Sequence, residues 1–115
     1  MSNEPSGSQG SELDPKLSAM LAYLLGIIGG IVFYSISKDS FVKFHAMQSI
    51  FYFIAVAVFY VIFWVLGFII PFLFFLTWLV GLAITAVWII LMVKAYGGER
   101  FKLPVIGDMA EKYAK

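Results

Sequence analysis

The longest uncharged stretch of the chain runs from residue 46 to residue 93, without one Asp, Glu, Lys or Arg. A single helix of this length would measure about 72 Å, whereas the hydrocarbon core of a bilayer is about 30 Å thick. The stretch therefore predicts two membrane-spanning helices. Pro71 marks the division, because proline lacks a backbone donor and disfavours helix in the preceding residue. The predicted spans are residues 46–69 and 72–93, joined by a tight apolar turn.

An earlier segment, residues 17–37, is also free of charge and would form a helix of about 31 Å, which predicts a first span. Residues 1–14 contain almost nothing to bury and predict a disordered tail. The expected fold class is thus all-α: a polytopic membrane protein with three transmembrane helices in residues 15–98. Residues 99–115 predict a cytoplasmic interfacial tail, with a short helix over 109–114.

The composition excludes several classes of protein. Hydrophobic residues make up 62% of the chain and charged residues 13%, whereas soluble domains are about one quarter charged. Acidic and basic residues nearly cancel, which argues against nucleic acid as a partner. Without cysteine, and with a single histidine, the chain offers no motif for a metal or another cofactor. We expect its partners to be the lipid bilayer and either further copies of the chain or other membrane proteins.

The distribution of basic residues predicts the orientation, since Lys and Arg accumulate on the cytoplasmic side of membrane proteins. With three spans, the loop before the second span and the C-terminal tail share one side. Lys16 is then the only basic residue on the other side. Seven basic residues against one predict a multi-pass protein of the cell membrane, with its N-terminus outside and its C-terminus cytoplasmic.

Two polar segments flank the uncharged stretch. In the first, His45, Gln48 and Ser49 share one helix face with Tyr52, which predicts either a vestibule or partner site, or hydrogen bonds to neighbouring helices. The second spans residues 96–108, where cations alternate with apolar residues. It predicts an interfacial anchor, or a tail that folds back on the first segment. The candidate interaction motif comprises Phe41, Lys43, Phe44, His45, Gln48, Ser49, Arg100, Lys102, Pro104, Gly107 and Asp108.

Small residues recur every four positions in the first and third predicted spans. Such stripes let helix backbones approach closely in lipid, although they also arise by chance in Gly- and Ala-rich helices. Gly29 and Gly30 could instead mark a kink in the first helix. The candidate helix-packing residues are Ser18, Ala22, Gly26, Gly30, Thr77, Gly81 and Thr85.

Three functional hypotheses follow from these features. The favoured one is a non-catalytic structural or interaction subunit of a membrane complex, because the two polar segments are predicted on one side and the sequence shows no catalytic motif. A second is an oligomeric pore of translocon or holin type. Its polar face would have to come from Ser49, Tyr52, Tyr60, Thr77 and Thr85. A third is a lipid-modifying enzyme with His45 as the base and Asp108 nearby.

The segments FVKFHAMQS and AYGGERFKLPVIGDMAE resemble the paired signatures of a Tic-like prokaryotic membrane family of unknown function. That family is similar to the channel subunit of the chloroplast inner-envelope import translocon. The resemblance covers about residues 17–111 and implies an all-helical membrane fold; in the chloroplast relative it implies a protein-conducting complex. The chloroplast subunit has four spans, against three predicted here. Matching positions are Phe41, Phe44, His45, Ala46, Gln48, Gly98, Pro104, Gly107 and Asp108.

Overall fold

A computed structural model describes residues 14–114 of the chain and shows an all-helical fold. The predicted N-terminal tail lies outside the described residues except for Asp14, as does the last residue of the C-terminal tail. Within the described part of the chain there are five helices and no strand. They are α1 (Pro15–Leu24), α2 (Gly26–Ile36), α3 (Ser40–Ile69), α4 (Phe72–Tyr96) and α5 (Ile106–Tyr113).

Two long antiparallel helices, α3 and α4, are apolar enough to cross a membrane, at about 45 and 38 Å. They are separated at Ile70 and Pro71, so the predicted division is confirmed. The helix containing the predicted second span begins six residues earlier than that span, because the Asp39 side chain caps α3 by accepting a hydrogen bond from the backbone N–H of Phe41 at 2.8 Å. Helix α4 continues beyond residue 93 to Tyr96.

The predicted first span is not a single helix. It is interrupted at Leu25, and Gly26 has a φ of +70°, a left-handed conformation that glycine adopts without steric cost. A Cβ atom at Gly29 would lie 2.8 Å from the carbonyl oxygen of Leu21, although residues eight apart in a straight helix are about 12 Å apart. Helices α1 and α2 therefore form a tight hairpin. The chain turns at Leu25–Gly26 and not at Gly29–Gly30.

Both arms of this hairpin pack against the N-terminal half of α3. Tyr23 of α1 contacts His45, while Phe33 of α2 packs in a cluster with Val42 and Ala46. Lys16, at the start of α1, lies beside Gly98, where a glycine Cβ would be 3.0 Å from the lysine Cε. The chain thus enters and leaves the hairpin at one end of the molecule. The predicted single helix over 17–37 is therefore wrong, because this segment forms two helices, and Lys16 lies at the end of the molecule that carries Gly98.

The buried core is concentrated at this same end. Ala19, Tyr23, Tyr52, Leu91 and Ala95 bring together α1, α3 and α4. Helix α5 starts at residue 106, three residues before the predicted start. It places Ala110 and Ala114 against Phe44. Farther along α3 and α4, large apolar side chains are exposed, among them Trp64, Phe68, Phe75 and Trp78.

Candidate functional site

The polar stripe predicted on α3 lies in the interior of the fold. His45, Gln48 and Ser49 have no exposed surface, and Tyr52 is 6% exposed. They share one face because residues three and four apart are neighbours on a helix. The interior polar groups are covered by the hairpin, by α4 and by the segment that follows α4. We call this group of side chains, together with Tyr23, the polar cluster.

Gln48 holds the segment after α4 through its side-chain amide. Its Nε2 donates to the carbonyl oxygen of Phe101 at 2.9 Å, and its Oε1 accepts from the backbone N–H of Leu103 at 3.0 Å. The carboxamide therefore pairs with two backbone groups as a neighbouring strand would. This contact confirms that the tail folds back on the first polar segment.

His45 uses both of its ring nitrogens within the cluster. Nε2 lies 2.8 Å from the carbonyl oxygen of Glu99, so it carries the proton and donates. Nδ1 is then the acceptor for the hydroxyl of Tyr23 at 2.7 Å, and the Tyr23 oxygen accepts from Gln48 at 2.8 Å. Each polar atom of the imidazole is thus already bonded. This arrangement fixes the orientation of the ring and links α1, α3 and the tail.

The end of α1 receives two side-chain hydrogen bonds. Ser49 donates its hydroxyl to the carbonyl oxygen of Ala22 at 2.8 Å, and the Trp88 indole donates to the carbonyl oxygen of Tyr23 at 2.7 Å. The last carbonyl groups of any helix lack partners within that helix. Here α3 and α4 each supply one donor, which secures the hairpin to the long helices.

The surface above the polar cluster is charged. Arg100 donates to the Ser40 hydroxyl at 2.7 Å, and its guanidinium lies 5.7 Å from the centre of the Phe44 ring. Lys102 pairs with Glu111 at 3.0 Å and with Asp108 at 3.2 Å. These hydrogen bonds, that to Glu111 first, raise the pKa of Lys102. A cleft of about 560 Å³ opens here, lined by Ser40, Arg100, Asp108, Glu111, Lys112 and Ala114.

The predicted interaction motif is brought together at one end of the fold, with different roles for its members. Lys43 lies apart from the cleft, with its ammonium 5.4 Å from the centre of the Tyr34 ring. Gly107 permits a close approach of α5 to the tail, since a Cβ there would lie 2.7 Å from the Lys102 Cα. Asp108 pairs with Lys102, whereas His45 bonds to the carbonyl oxygen of Glu99. The two residues suggested for an enzyme site therefore have separate partners.

The predicted helix-packing residues divide into three groups. Ser18 and Ala22 are buried, and a Cβ at Gly30 would be 2.7 Å from the carbonyl oxygen of Ala46, which marks a close helix crossing. Gly26 is different: no atom lies within 4 Å of its Cβ position, so it serves the turn and not a crossing. In α4, Thr77 and Thr85 donate to their own helix, and Gly81 faces the Tyr60 hydroxyl.

Several residues of the site are not among the predicted ones: Ser40, Glu111, Lys112 and Ala114 in the cleft, and Tyr23 and Trp88 in the interior. Tyr23 and Trp88 lie in apolar segments without a polar pattern, yet each makes hydrogen bonds between helices. Their residue type could have indicated this role, because a Tyr hydroxyl or a Trp indole N–H inside an apolar helix needs a hydrogen-bond partner. Among residues 14–114, no three His, Asp or Glu side chains are grouped so that they could hold a metal ion.

Comparison with known proteins identifies relatives over most of the chain. The model of the MamF/MmsF family, described as the magnetosome magnetite crystal formation protein family, matches residues 13–110. A UPF0132 membrane protein of Methanocaldococcus jannaschii is 50% identical over 107 residues, which are 90% of this chain and 91% of the relative. A UPF0132 membrane protein of Archaeoglobus fulgidus is 46% identical over 101 residues, covering 84% and 91% respectively.

No solved structure matches the chain. The names of these relatives identify membrane proteins without a stated biochemical activity. They agree with the expected membrane family of unknown function. Nothing in them links the chain to the chloroplast translocon that its motifs resemble.

Proposed function

This chain belongs to the MamF/MmsF family of membrane proteins, and we propose that it is a multi-pass, non-catalytic subunit that binds a partner protein at the membrane surface. We rest the proposal on the contacts of this chain, and not on the magnetite named in the family description. The observation that carries it is the pairing of Gln48 with the backbone of Phe101 and Leu103. This pairing holds the charged tail in one position over the spanning helices.

A preorganised surface favours binding, because less conformational freedom is lost when the partner arrives. Within the polar cluster, Gln48 and His45 bond to the tail, whereas Ser49 and Tyr52 bond to carbonyl groups of α1 and α4, as expected for a structural role. The cleft above the polar cluster presents charged side chains of both signs, Arg100 and Lys112 together with Asp108 and Glu111. Such a lining suits a polypeptide with charges of both signs better than a phosphate or another simple anion.

The hydrogen bonds of the hydroxyl groups that would line a pore argue against the pore hypothesis. Ser49 and Tyr52 donate to carbonyl oxygens of Ala22 and Ile84 within the fold. Thr77 and Thr85 donate to their own helix. These bonds favour a packing role for the four hydroxyls over the lining of a water-filled path.

Photo-cross-linking in native membranes tests the proposal. A photoreactive residue replaces Lys112, which lines the cleft, or in a control Lys38, which is exposed at the same end but lies outside the cleft. We expect a discrete cross-linked product from position 112 and none from position 38. Gln48→Ala should abolish that product without removing the protein from the membrane, because the tail is released.

The mass of the product distinguishes a second copy of the chain from a different protein, and either one supports a role in binding. The proposal fails if position 112 gives no product, or if both positions give the same products. It fails equally if the product persists undiminished in the Gln48→Ala variant.

A further inference from the structure

The α1–α2 hairpin is too short to cross a bilayer in either direction. Its arms have 10 and 11 residues, or about 15 and 17 Å, roughly half of a 30 Å hydrocarbon core. Each arm lies beside the same part of α3, which is the part nearest the basic end of the molecule. The tip at Leu25–Gly26 therefore lies about one third of the way along α3, where the Gly26 carbonyl oxygen is 3.3 Å from the Ser49 hydroxyl.

A chain that turns inside a membrane leaves carbonyl groups that water cannot reach, and each must find a donor in the protein. The hairpin meets this requirement at the end of α1. The carbonyl oxygen of Leu21 accepts from the backbone N–H of Leu25 at 3.0 Å. Those of Ala22 and Tyr23 accept from Ser49 and Trp88. Two donors from distant parts of the chain are thus positioned at the one break in the helix.

The basic residues give independent support. If the chain crossed the membrane three times, Lys16 would be the one basic residue on the side opposite to all the other basic residues. In the fold, however, Lys16 lies beside Gly98, at the end where the other basic residues are. In the described part of the chain, the end formed by Ile70 and Pro71 carries no charged residue. The opposite end holds Lys16, Lys38, Lys43, Lys94, Arg100, Lys102 and Lys112. All basic residues of the described chain therefore lie at one end of the molecule, which is the asymmetry that orients membrane proteins.

From these contacts we infer that α1 and α2 form a re-entrant hairpin, which enters from the cytoplasmic side and returns to it. The chain then crosses the membrane twice, through α3 and α4, and residue 16 lies on the same side as the C-terminal tail. This inference rests on the membrane-spanning role proposed above. It replaces the orientation with the N-terminus outside, which followed from counting residues 17–37 as one crossing.

Cysteine labelling tests the topology directly, because the chain contains no native cysteine. Four single variants are labelled with a membrane-impermeant maleimide in intact cells and again after permeabilisation. They are Lys16→Cys, Lys38→Cys, Ile70→Cys and Lys112→Cys, all at exposed positions. We expect position 70 to react in intact cells. Positions 16, 38 and 112 should react only after permeabilisation.

Position 16 decides the inference. Labelling of Lys16→Cys in intact cells, together with position 70 and opposite to positions 38 and 112, would establish three crossings and overturn the re-entrant hairpin. If all four positions instead react from one side only, α3 and α4 do not span the membrane, and the proposed membrane-spanning role itself fails. A variant that folds poorly is recognised by its loss from the membrane fraction, and Pro15→Cys then takes the place of Lys16→Cys.

Discussion

The hydroxyl of Ser49 donates to the carbonyl oxygen of Ala22 at 2.8 Å, so that α3 completes the end of α1 across 27 positions of the sequence. A carbonyl at this depth has no water to replace a lost donor. The contact also explains why a serine stands on the buried face of an apolar helix. Ser49 is therefore a structural requirement of the hairpin.

Removal of this donor should destabilise the protein. We expect Ser49→Ala to lower the free energy of unfolding by about 1–3 kcal/mol, the usual cost of leaving a buried carbonyl unsatisfied. The matched control is Thr85→Ala, because Thr85 is exposed and its hydroxyl bonds only within its own helix, to Gly81. Unfolding in detergent, followed by circular dichroism, measures both. Equal losses in the two variants would contradict the role given to Ser49.

Gln48→Ala should release the tail and expose it to proteolysis. Trypsin cleaves after Arg100 and Lys102, and the second of these bonds involves the Leu103 nitrogen that Gln48 holds. We expect faster cleavage at both sites in the variant, because local opening limits attack on an ordered segment. Cleavage after Lys38 serves as an internal control in the same digest. The prediction is wrong if the ratio of tail cleavage to control cleavage is unchanged.

At Gly107 the tail passes too close to α5 for a side chain. A Cβ there would clash with the Lys102 Cβ and lie 2.7 Å from the Lys102 Cα, so Gly107→Ala forces the backbone to move. We expect a loss of about 1–3 kcal/mol. At Gly97 the nearest atom would be 3.4 Å away and φ is −79°, so Gly97→Ala should be close to neutral. Thermal unfolding of the two variants side by side gives the comparison, and similar melting temperatures would refute it.

Gly26 and Gly30 should respond differently to larger side chains. At Gly26 there is open space but a φ of +70°, so alanine and leucine should cost a similar amount, about 1–2 kcal/mol each. At Gly30 a Cβ meets the Ala46 carbonyl oxygen at 2.7 Å, so leucine should be much worse than alanine. Four unfolding measurements settle the point. A steep rise from alanine to leucine at Gly26 would restore the helix crossing predicted there.

Local chemistry accounts for the elements that the sequence predicted well. Pro71 cannot continue a helix, and the absence of charge over residues 46–93 requires two apolar helices, so the limits of α3 and α4 near the turn follow from neighbouring residues. The shared face of His45, Gln48 and Ser49 likewise follows from helical spacing. The predicted span starts at residue 46, after the last charged residues, whereas the helix that contains it starts six residues earlier, at the Asp39 cap.

Residue chemistry alone predicts an all-helical chain with two long apolar helices, a polar face on the first of them and a concentration of basic residues on one side. The course of residues 17–37, in contrast, follows only from the way the helices pack. Their length and hydropathy suit a single crossing as well as a hairpin. The difference depends on whether the carbonyl groups of Ala22 and Tyr23, left without helix partners by the break at Leu25, find donors. Those donors, Ser49 and Trp88, lie on other helices. Hydropathy records the cost of burying each residue, whereas these hydrogen bonds exist only once the helices have packed together.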